Sequence, residues 1–321
     1  MQPRFDPTVN AWIVSRYRNV VRALNDPRFS ADEVRGEEHA RFRTEGSAIV
    51  LSAMQKLVDL RPVTHLPRDR PVDVMQKLAR TWSEQAAMLL FPVHGDPDRA
   101  LALAAEVFAA AAGLNRADQA TRELAALVEA KHAAFHVQGF VALSQTLPCF
   151  LANAWLALLR NPEQMQMLRD SPELMPAAIE ELLRFAGPAR AQLRRATEDL
   201  EFCGAQIKSG DRVALMLASA NRDPDQFPDP DRLDLRRNPQ RHVAFGAGPH
   251  ACIGAPLVRA AAALATAAFI KHFTGAEIEE PLEWGGGFAI RAPASLRVST
   301  APSSALPGTA PSRSPSGRTP R

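Results

Sequence analysis

Residues 245–254 read Phe245-Gly-Ala-Gly-Pro-His-Ala-Cys-Ile-Gly254, and this short stretch decides how the rest of the chain is interpreted. Its glycines allow tight turns and let the backbone come close to a flat partner. Cys252 follows them, and Gly254 then opens a long apolar helical run, Ala255 to Phe273. A thiolate beside a helix N-terminus is stabilised by the helix dipole and by free backbone N–H groups. The stretch therefore predicts an electron-rich sulfur that can bind a metal.

This loop resembles the cysteine-ligand loop of the cytochromes P450, which are haem-thiolate monooxygenases. The resemblance implies that Cys252 is the axial thiolate ligand of the iron of haem b. Considered apart from this resemblance, the same residues also fit a structural cysteine in a glycine-rich turn. The positions that match the family's loop are Phe245, Gly246, Gly248, His250, Cys252 and Gly254.

A second element is Glu181-Leu-Leu-Arg184, which matches the family's Glu-x-x-Arg pair. Side chains at positions i and i+3 of one helix are neighbours, so these two can form an ion pair. In the family this pair holds a third group from the irregular segment that precedes the cysteine loop. Arg232 lies where that third group is expected. The predicted role is structural, because the pair would hold the ligand loop against the helix.

Two positions resemble the family's contacts to the haem propionates. Arg194 aligns with an arginine that pairs a propionate, and His242, three residues before Phe245, aligns with another propionate contact. Propionates are anions that need hydrogen-bond donors, so both residue types suit this role. The alternatives are a solvated strand arginine, with Arg195 on the opposite face, and an ordinary loop histidine.

The stretch Ala142-Leu-Ser-Gln-Thr146 lies where the family's central helix reads Ala-Gly-x-acid-Thr. The resemblance implies that Thr146 helps to deliver protons to dioxygen, with Ser144 and Gln145 beside it. Leu143 replaces the glycine and Gln145 replaces the acid, and a core helix with a buried threonine explains the pattern equally well. Pro148 lacks an N–H, so it predicts a freed carbonyl and a bend at this turn.

Composition limits the class of protein. The 321 residues are 46% hydrophobic and 23% charged, which is typical of a soluble globular protein, and three cysteines cannot build a disulfide framework. The net charge of +3 comes from 38 basic and 35 acidic residues, and the segment 301–321 holds three arginines and no acid. Since the remaining body is balanced, a nucleic-acid-binding role is not indicated. No apolar leader or membrane anchor is recognised, so a cytoplasmic protein is expected.

The expected fold class is mainly α with a smaller β portion. The resemblance implies the P450 fold, shortened at the N-terminus and in the lid regions around 36–71 and 90–140. Residues 1–300 are expected to form one haem-binding domain, and 301–321 a disordered tail. A strand is predicted at 11–14, a central helix from about Leu127 to Arg160, and a hairpin turn at 208–211. The proline-rich segment 221–240 excludes a regular helix or a central strand.

The resemblance implies insertion of one oxygen atom from O₂ into a small organic substrate. Electrons would come from a ferredoxin or flavodoxin with its NAD(P)H-linked reductase, and four arginines near the loop predict a basic docking face. The first alternative is a haem-thiolate protein that does not activate O₂ in the usual way: a peroxide user, an isomerase or dehydratase, or an inactive relic. The second is a helical scaffold without haem. The basic docking face expected for the electron donor consists of Arg236, Arg237, Arg241 and Arg259.

Overall fold

The computed structural model describes residues 2–31, 36–57, 60, 70–113, 115–128, 133–237, 239 and 241–300. Helices dominate it, and strands are short, as the sequence predicts. The predicted tail, residues 301–321, lies outside the described residues. The α-helices are α1 (Tyr17–Asn25), α2 (Gly36–Leu57), α3 (Thr81–Leu90), α4 (Pro97–Ala112), α5 (Asp118–Leu127), α6 (Ala133–Val141), α7 (Leu147–Leu159), α8 (Pro162–Asp170), α9 (Met175–Ala186), α10 (Leu217–Ala220) and α11 (Ala255–His272).

The strands build one five-stranded sheet and three smaller ones. The larger sheet has the order β1-β2-β8-β5-β3, and β2 pairs with β8 in parallel. The other sheets are β6-β7, β10-β11 and β4-β12-β9. The strands are β1 (Arg4–Asp6), β2 (Ala11–Val14), β3 (Phe29–Ser30), β4 (Val72–Asp73), β5 (Gln192–Ala196), β6 (Leu200–Phe202), β7 (Ala205–Ile207), β8 (Arg212–Leu215), β9 (Ala276–Ile278), β10 (Trp284–Gly286), β11 (Arg291–Pro293) and β12 (Arg297–Thr300).

The hairpin predicted at 208–211 is wrong. Strand β7 pairs with β6 across the turn at Cys203-Gly204, whereas β8 pairs with β5 and β2 in the larger sheet. The turn signal is genuine, because Asp211 N–H donates to the Lys208 carbonyl at 3.0 Å and Gly210 has φ 88°. The turn joins two different sheets, which a local pattern does not reveal.

The central helix consists of α6, a π-helical turn at Ala142–Thr146, and α7. Its described part begins at Ala133, and the predicted start near Leu127 is wrong, because Leu127 ends α5 and Val128 bridges to Val93. The segment Phe135–Leu159 is long and apolar enough to cross a membrane, but 78% of its apolar window is buried inside the protein. That burial is typical of a core helix, since α7 packs against elements on several sides.

Helix α11, which follows the cysteine loop, is fixed against the central helix. The Trp155 ring of α7 stacks on Phe269 of α11, with ring centroids 4.4 Å apart, and its indole N–H donates to Thr266 at 3.3 Å. Burying large aromatic side chains contributes strongly to a core, and the hydrogen bond satisfies the indole nitrogen. The start of α11, and with it Cys252, is therefore held in a defined position relative to α7.

The irregular segment is confirmed over the residues that the structure describes between Asn221 and Ala247. No helix or strand interrupts it there. Leu233 and Leu235 nevertheless lie in the main core, so the segment is packed rather than loose. Its proline carbonyls and aspartates leave many hydrogen-bonding groups outside regular ladders, and these groups must find other partners. Several of those partners belong to the candidate site.

Candidate haem-thiolate site

The cysteine loop closes on itself through backbone hydrogen bonds. The Cys252 N–H donates to the Phe245 carbonyl at 2.9 Å, and the Ala251 N–H donates to the Gly248 carbonyl at 3.1 Å. Cys252 is exposed, and α11 begins three residues later, at Ala255. The thiol thus projects from a short, closed loop beside a helix N-terminus, where a thiolate is favoured.

Two glycines of the loop have positive φ and touch neighbouring elements. Gly248 has φ 71°, and a Cβ there would lie 2.8 Å from the Leu24 carbonyl oxygen of α1. Gly246 has φ 69°, and a Cβ there would lie 3.1 Å from the Gln192 side-chain oxygen of β5. Any other residue would be strained at these angles, and at Gly248 its Cβ would also overlap the backbone of α1. The loop is therefore set between α1 and β5.

Gln192 also joins Arg194 to the loop. The Arg194 guanidinium donates to the Gln192 side-chain oxygen at 3.3 Å and to the Leu193 carbonyl at 2.9 Å, and the residue is buried. Arg195 is exposed and donates to the Gly210 carbonyl, so it lies on the other face of β5. The structure brings Arg194, rather than Arg195, to the side of the sheet that meets the cysteine loop.

His242 is engaged by the protein on both ring nitrogens. Nε2 lies 3.1 Å from Glu180 of α9, and Nδ1 accepts from the Ala244 N–H at 3.2 Å. Glu180 also binds Arg259 of α11. Burial alone would raise the pKa of Glu180, but hydrogen bonds from His242 and Arg259 outweigh it and lower the pKa to about 2. In this structure His242 thus links α9 to the segment before the loop.

Glu181 and Arg184 form a fully buried ion pair in α9. The guanidinium donates to both carboxylate oxygens, at 2.7 and 2.8 Å. Arg232 was expected as the third member, and that expectation is wrong. Arg232 is exposed and pairs with Asp234, while Arg237 donates to Glu181 at 3.1 Å. The irregular segment folds back so that the later arginine, not the earlier one, reaches α9.

The ion pair is connected to the cysteine loop through one asparagine. Arg184 donates to the backbone carbonyl of Asn221 at 2.8 Å, and the Asn221 side-chain oxygen accepts from the Val243 N–H at 2.8 Å. Val243 precedes Phe245 by two residues, and it is buried. Because each group in this series of hydrogen bonds is buried and paired, the network holds the cysteine loop at a fixed position relative to α9.

The predicted catalytic residues lie on the π-helical turn of the central helix. The Ser144 hydroxyl donates to the Phe140 carbonyl at 2.7 Å, and the Leu147 N–H donates to the Ala142 carbonyl, which is the i→i−5 pattern of a π-turn. Thr146 is half-buried and ends this turn. A widened turn thus lies directly before Pro148, and such turns recur at functional sites. The freed carbonyl and the bend at Pro148 stay predictions.

Gln145 has a partner that sequence analysis missed. Its side-chain oxygen accepts from Arg80 at 3.3 Å, and Arg80 lies on a second π-helical segment, Met75–Arg80. Its amide donates towards the Ser144 hydroxyl at 3.4 Å. Arg80 and Glu180 were overlooked because each lies far from its partner in the chain. The only signal in the sequence was Gln145 itself, a polar residue on an otherwise apolar helix face that needs a hydrogen-bonding partner.

His39 and Arg43 resemble a propionate-binding pair on an early helix of the family, although a charged helix surface also explains their spacing. Both lie on α2, but their side chains are outside the described residues. The later part of α2 does reach the site. A Cβ at Gly46 would lie 2.4 Å from the Phe135 ring of α6 and 2.8 Å from Ile253, the neighbour of Cys252. This close approach needs glycine, because any side chain would overlap both neighbours. Helix α2, the central helix and the cysteine loop thus meet at one point.

The residues present fit a haem. Among the residues that the structure describes, no three His, Cys, Asp or Glu side chains converge to hold a metal ion. Cys252 provides the single thiolate that a haem-thiolate centre requires, and the buried Arg194 provides a cation for a propionate.

Comparison with known proteins agrees with this chemistry. The family model described as Cytochrome P450 matches residues 151–283. The biotin biosynthesis cytochrome P450 of Bacillus subtilis is 36% identical over 163 residues, which cover 51% of this chain and 41% of that protein. Nocardicin C N-oxygenase of Nocardia uniformis subsp. tsuyamanensis is 44% identical over 146 residues, covering 44% and 37%. The chain thus spans about two fifths of the length of these relatives.

Solved structures match over most of the chain. P450BioI, in complex with an acyl carrier protein that carries hexadec-9Z-enoic acid, superposes with a TM-score of 0.79 at 22% identity, over 93% of this chain and 95% of that chain. The P450 monooxygenase TamI superposes with a TM-score of 0.73 at 27% identity, over 90% and 84%. These matches confirm the predicted fold class. The family-model match over residues 151–283, together with these relatives, supports membership of that part of the chain in the cytochrome P450 family.

Proposed function

We propose that this chain is a haem-thiolate monooxygenase that inserts one oxygen atom from O₂ into a small organic substrate in the cytoplasm. The observation that carries the proposal is the closed loop that presents an exposed Cys252 beside α11. When bound, the haem would supply reductive activation of O₂ at iron. Cys252 would hold it by the thiolate, and Arg194 would pair a propionate.

The central helix would supply the groups that hold and move protons. Gln145 cannot donate a proton as a carboxylic acid can. Arg80 binds its side-chain oxygen, which directs its amide towards the Ser144 hydroxyl. The Ser144 hydroxyl already donates its hydrogen bond to the Phe140 carbonyl. The hydroxyl of Thr146 is therefore the group best placed to exchange a proton with water. Such a site would transfer protons less efficiently than one with an acid.

Replacing Gln145 with glutamate should increase the ratio of product formed to NAD(P)H consumed, by about twofold or more. Unlike the amide, a carboxyl group at this position can accept and release a proton. It would lie within reach of Arg80, which in the unaltered protein binds the side-chain oxygen of Gln145. Gln145→Met, of similar size and without an acid, is the matched control and should leave the ratio unchanged or lower it. An unchanged ratio in the glutamate variant of an active enzyme would show that protons reach the site by another route.

A second candidate function has a specific observation in its favour. Gln145 replaces the family's acid, and Arg80 fixes it in place, which suits a haem-thiolate protein that uses peroxide or catalyses a rearrangement. The absorption spectrum of the reduced protein with carbon monoxide tests for thiolate ligation in both cases. Product formation with NAD(P)H and a surrogate reductase pair then supports the monooxygenase. Product formation with peroxide alone supports the alternative.

The proposed electron donor is a ferredoxin or flavodoxin with its NAD(P)H-linked reductase. The structure changes the predicted docking face, because Arg237 is bound to Glu181 and Arg259 to Glu180. Arg236 and Arg241 precede the cysteine loop in the chain, are exposed and have no ion pair among the described residues. The cations available to an acidic partner are therefore Arg236 and Arg241.

Reduction by an acidic ferredoxin should slow by about tenfold as ionic strength rises from low to moderate salt, because such contacts mainly set the association rate. Arg236→Gln and Arg241→Gln should each slow reduction at low salt and weaken the salt dependence. Arg122→Gln removes an exposed charge from α5 and serves as the control. Rates that do not respond to salt, or that respond equally in all three variants, would contradict this docking face.

A further inference from the structure

A cleft of about 410 Å³ opens where α7 and α9 end, and basic side chains line its walls. This volume lies in the range of small-molecule sites. Four arginines and two aromatic rings determine its chemistry. They are Arg160, Arg190, Arg222, Arg291, Phe185 and Trp284.

Two of the four arginines are neutralised by the protein. Arg160 pairs with Glu280 at 2.7 Å, and Arg222 pairs with Asp231. Arg190 and Arg291 have no acidic partner among the residues that the structure describes. Since the other two charges are balanced, the cleft keeps an excess of two positive charges. An uncompensated pair of like charges attracts an anion.

The backbone holds Arg190 and Arg291 on one face. Ala189 and Ile290 form an antiparallel bridge, the Arg190 N–H donates to the Ala289 carbonyl at 2.7 Å, and the Arg291 N–H donates to the Pro188 carbonyl at 3.0 Å. Side chains alternate along extended backbone, so those that follow the two bridge residues point to the same side. The backbone pairing, rather than the choice of side-chain rotamer, therefore places the two arginines on the same side.

Trp284 adds a flat apolar wall to this pair. The Arg291 guanidinium carbon lies 4.2 Å from the centre of the indole ring, and Trp284 is 44% exposed. A guanidinium stacked on an aromatic ring keeps its in-plane N–H groups available, and these match the two oxygens of a carboxylate or phosphate. The cleft thus offers two charges for an oxyanion and one ring for an apolar group.

The cleft is separate from the candidate haem site. Its α7 residues begin at Asn153, seven residues after Thr146, which corresponds to about 10 Å along a helix axis. The cysteine loop contributes none of its lining residues. A ligand here would not contact Cys252 or the π-turn, so its binding can be measured without turnover.

We propose that this cleft binds a small organic oxyanion, a carboxylate or a phosphate ester attached to a flat apolar group, with Arg190 and Arg291 as its charge contacts and Trp284 as its wall. This site goes beyond the proposed monooxygenase function and does not depend on it.

Isothermal titration of the full chain tests the site with phenyl phosphate, benzoate, inorganic phosphate and neutral phenol. At least one of the two phenyl anions should bind one to one with a Kd of about 1 mM or tighter. Phenol and inorganic phosphate should bind much more weakly than that anion. The stronger phenyl anion identifies whether phosphate or carboxylate is preferred.

Arg190→Gln and Arg291→Gln should each weaken binding about tenfold, and Trp284→Leu should weaken the phenyl anion without affecting inorganic phosphate. Arg122→Gln makes the same charge change on α5 and should bind as the unaltered chain does. Circular dichroism confirms that each variant is folded. Absence of saturable binding by both phenyl anions, or equal weakening in the Arg122 variant, would overturn the proposal.

Discussion

Replacing Cys252 with alanine is expected to remove the thiolate-type Soret band of the reduced, carbon monoxide-treated protein completely. No other cysteine has the geometry to replace it. Cys149 is buried in α7, where burial raises the pKa of its thiol to about 11, so it stays protonated. Cys203 lies in the tight turn between β6 and β7, with φ 53°.

The matched controls are Cys149→Ala and Cys203→Ala, which should both keep the thiolate-type spectrum. Haem bound by the Cys252→Ala protein through another ligand would show a displaced band. A spectrum that is unaltered in the Cys252→Ala protein would contradict the assignment of the iron ligand, and with it the proposed function.

Glu181→Ala and Arg184→Ala are expected to lose most haem-bound protein and to lower the free energy of unfolding by about 3–5 kcal/mol. Each substitution leaves one buried charge without its partner, and that is the costly way to break a buried ion pair. The loss should extend to the cysteine loop, because Arg184 holds Asn221, and Asn221 holds Val243. Haem content per protein and urea unfolding measure the two effects separately.

The two candidate third partners provide an internal control for that experiment. Arg237→Ala should cost about 1–3 kcal/mol, since it removes a charge-assisted hydrogen bond to the buried Glu181. Arg232→Ala should be close to neutral, because Arg232 is an exposed side chain paired only at the surface. Equal losses in these two variants would contradict the network, as would wild-type haem content in both α9 variants.

Local sequence patterns predicted the parts of the site that are continuous in the chain. The glycines and Cys252 form one loop, and Glu181 and Arg184 share one helix, so spacing alone carries the information. The strand β2 and the irregular segment after Asn221 follow from the same local reasoning. Their sequences contain the caps, breakers and periodicity that decide each element.

Pairings across the fold were not predictable in the same way. Choosing Arg237 over Arg232 depends on how a proline-rich segment folds back on α9, and nothing local distinguishes two arginines five residues apart. The partner of Gln145 lies on a segment 65 residues away, and the partner of His242 is 62 residues away. The false hairpin at 208–211 arose because a turn does not specify which strand its neighbour will pair with.

The π-turn at Ala142–Thr146 can also be viewed as one extra residue accommodated within a continuous helix. Each residue advances an α-helix by about 100°, so the insertion rotates every side chain of α6 relative to α7 by roughly that amount. The side chains of α6 therefore lie at a different angle about the helix from the one that uninterrupted α-helical geometry would give them. Removing one residue from this turn would restore ordinary i→i−4 bonding and would turn Phe140 and Phe135 out of the packing that they now occupy. The length of this short segment is therefore as strongly constrained as its chemistry.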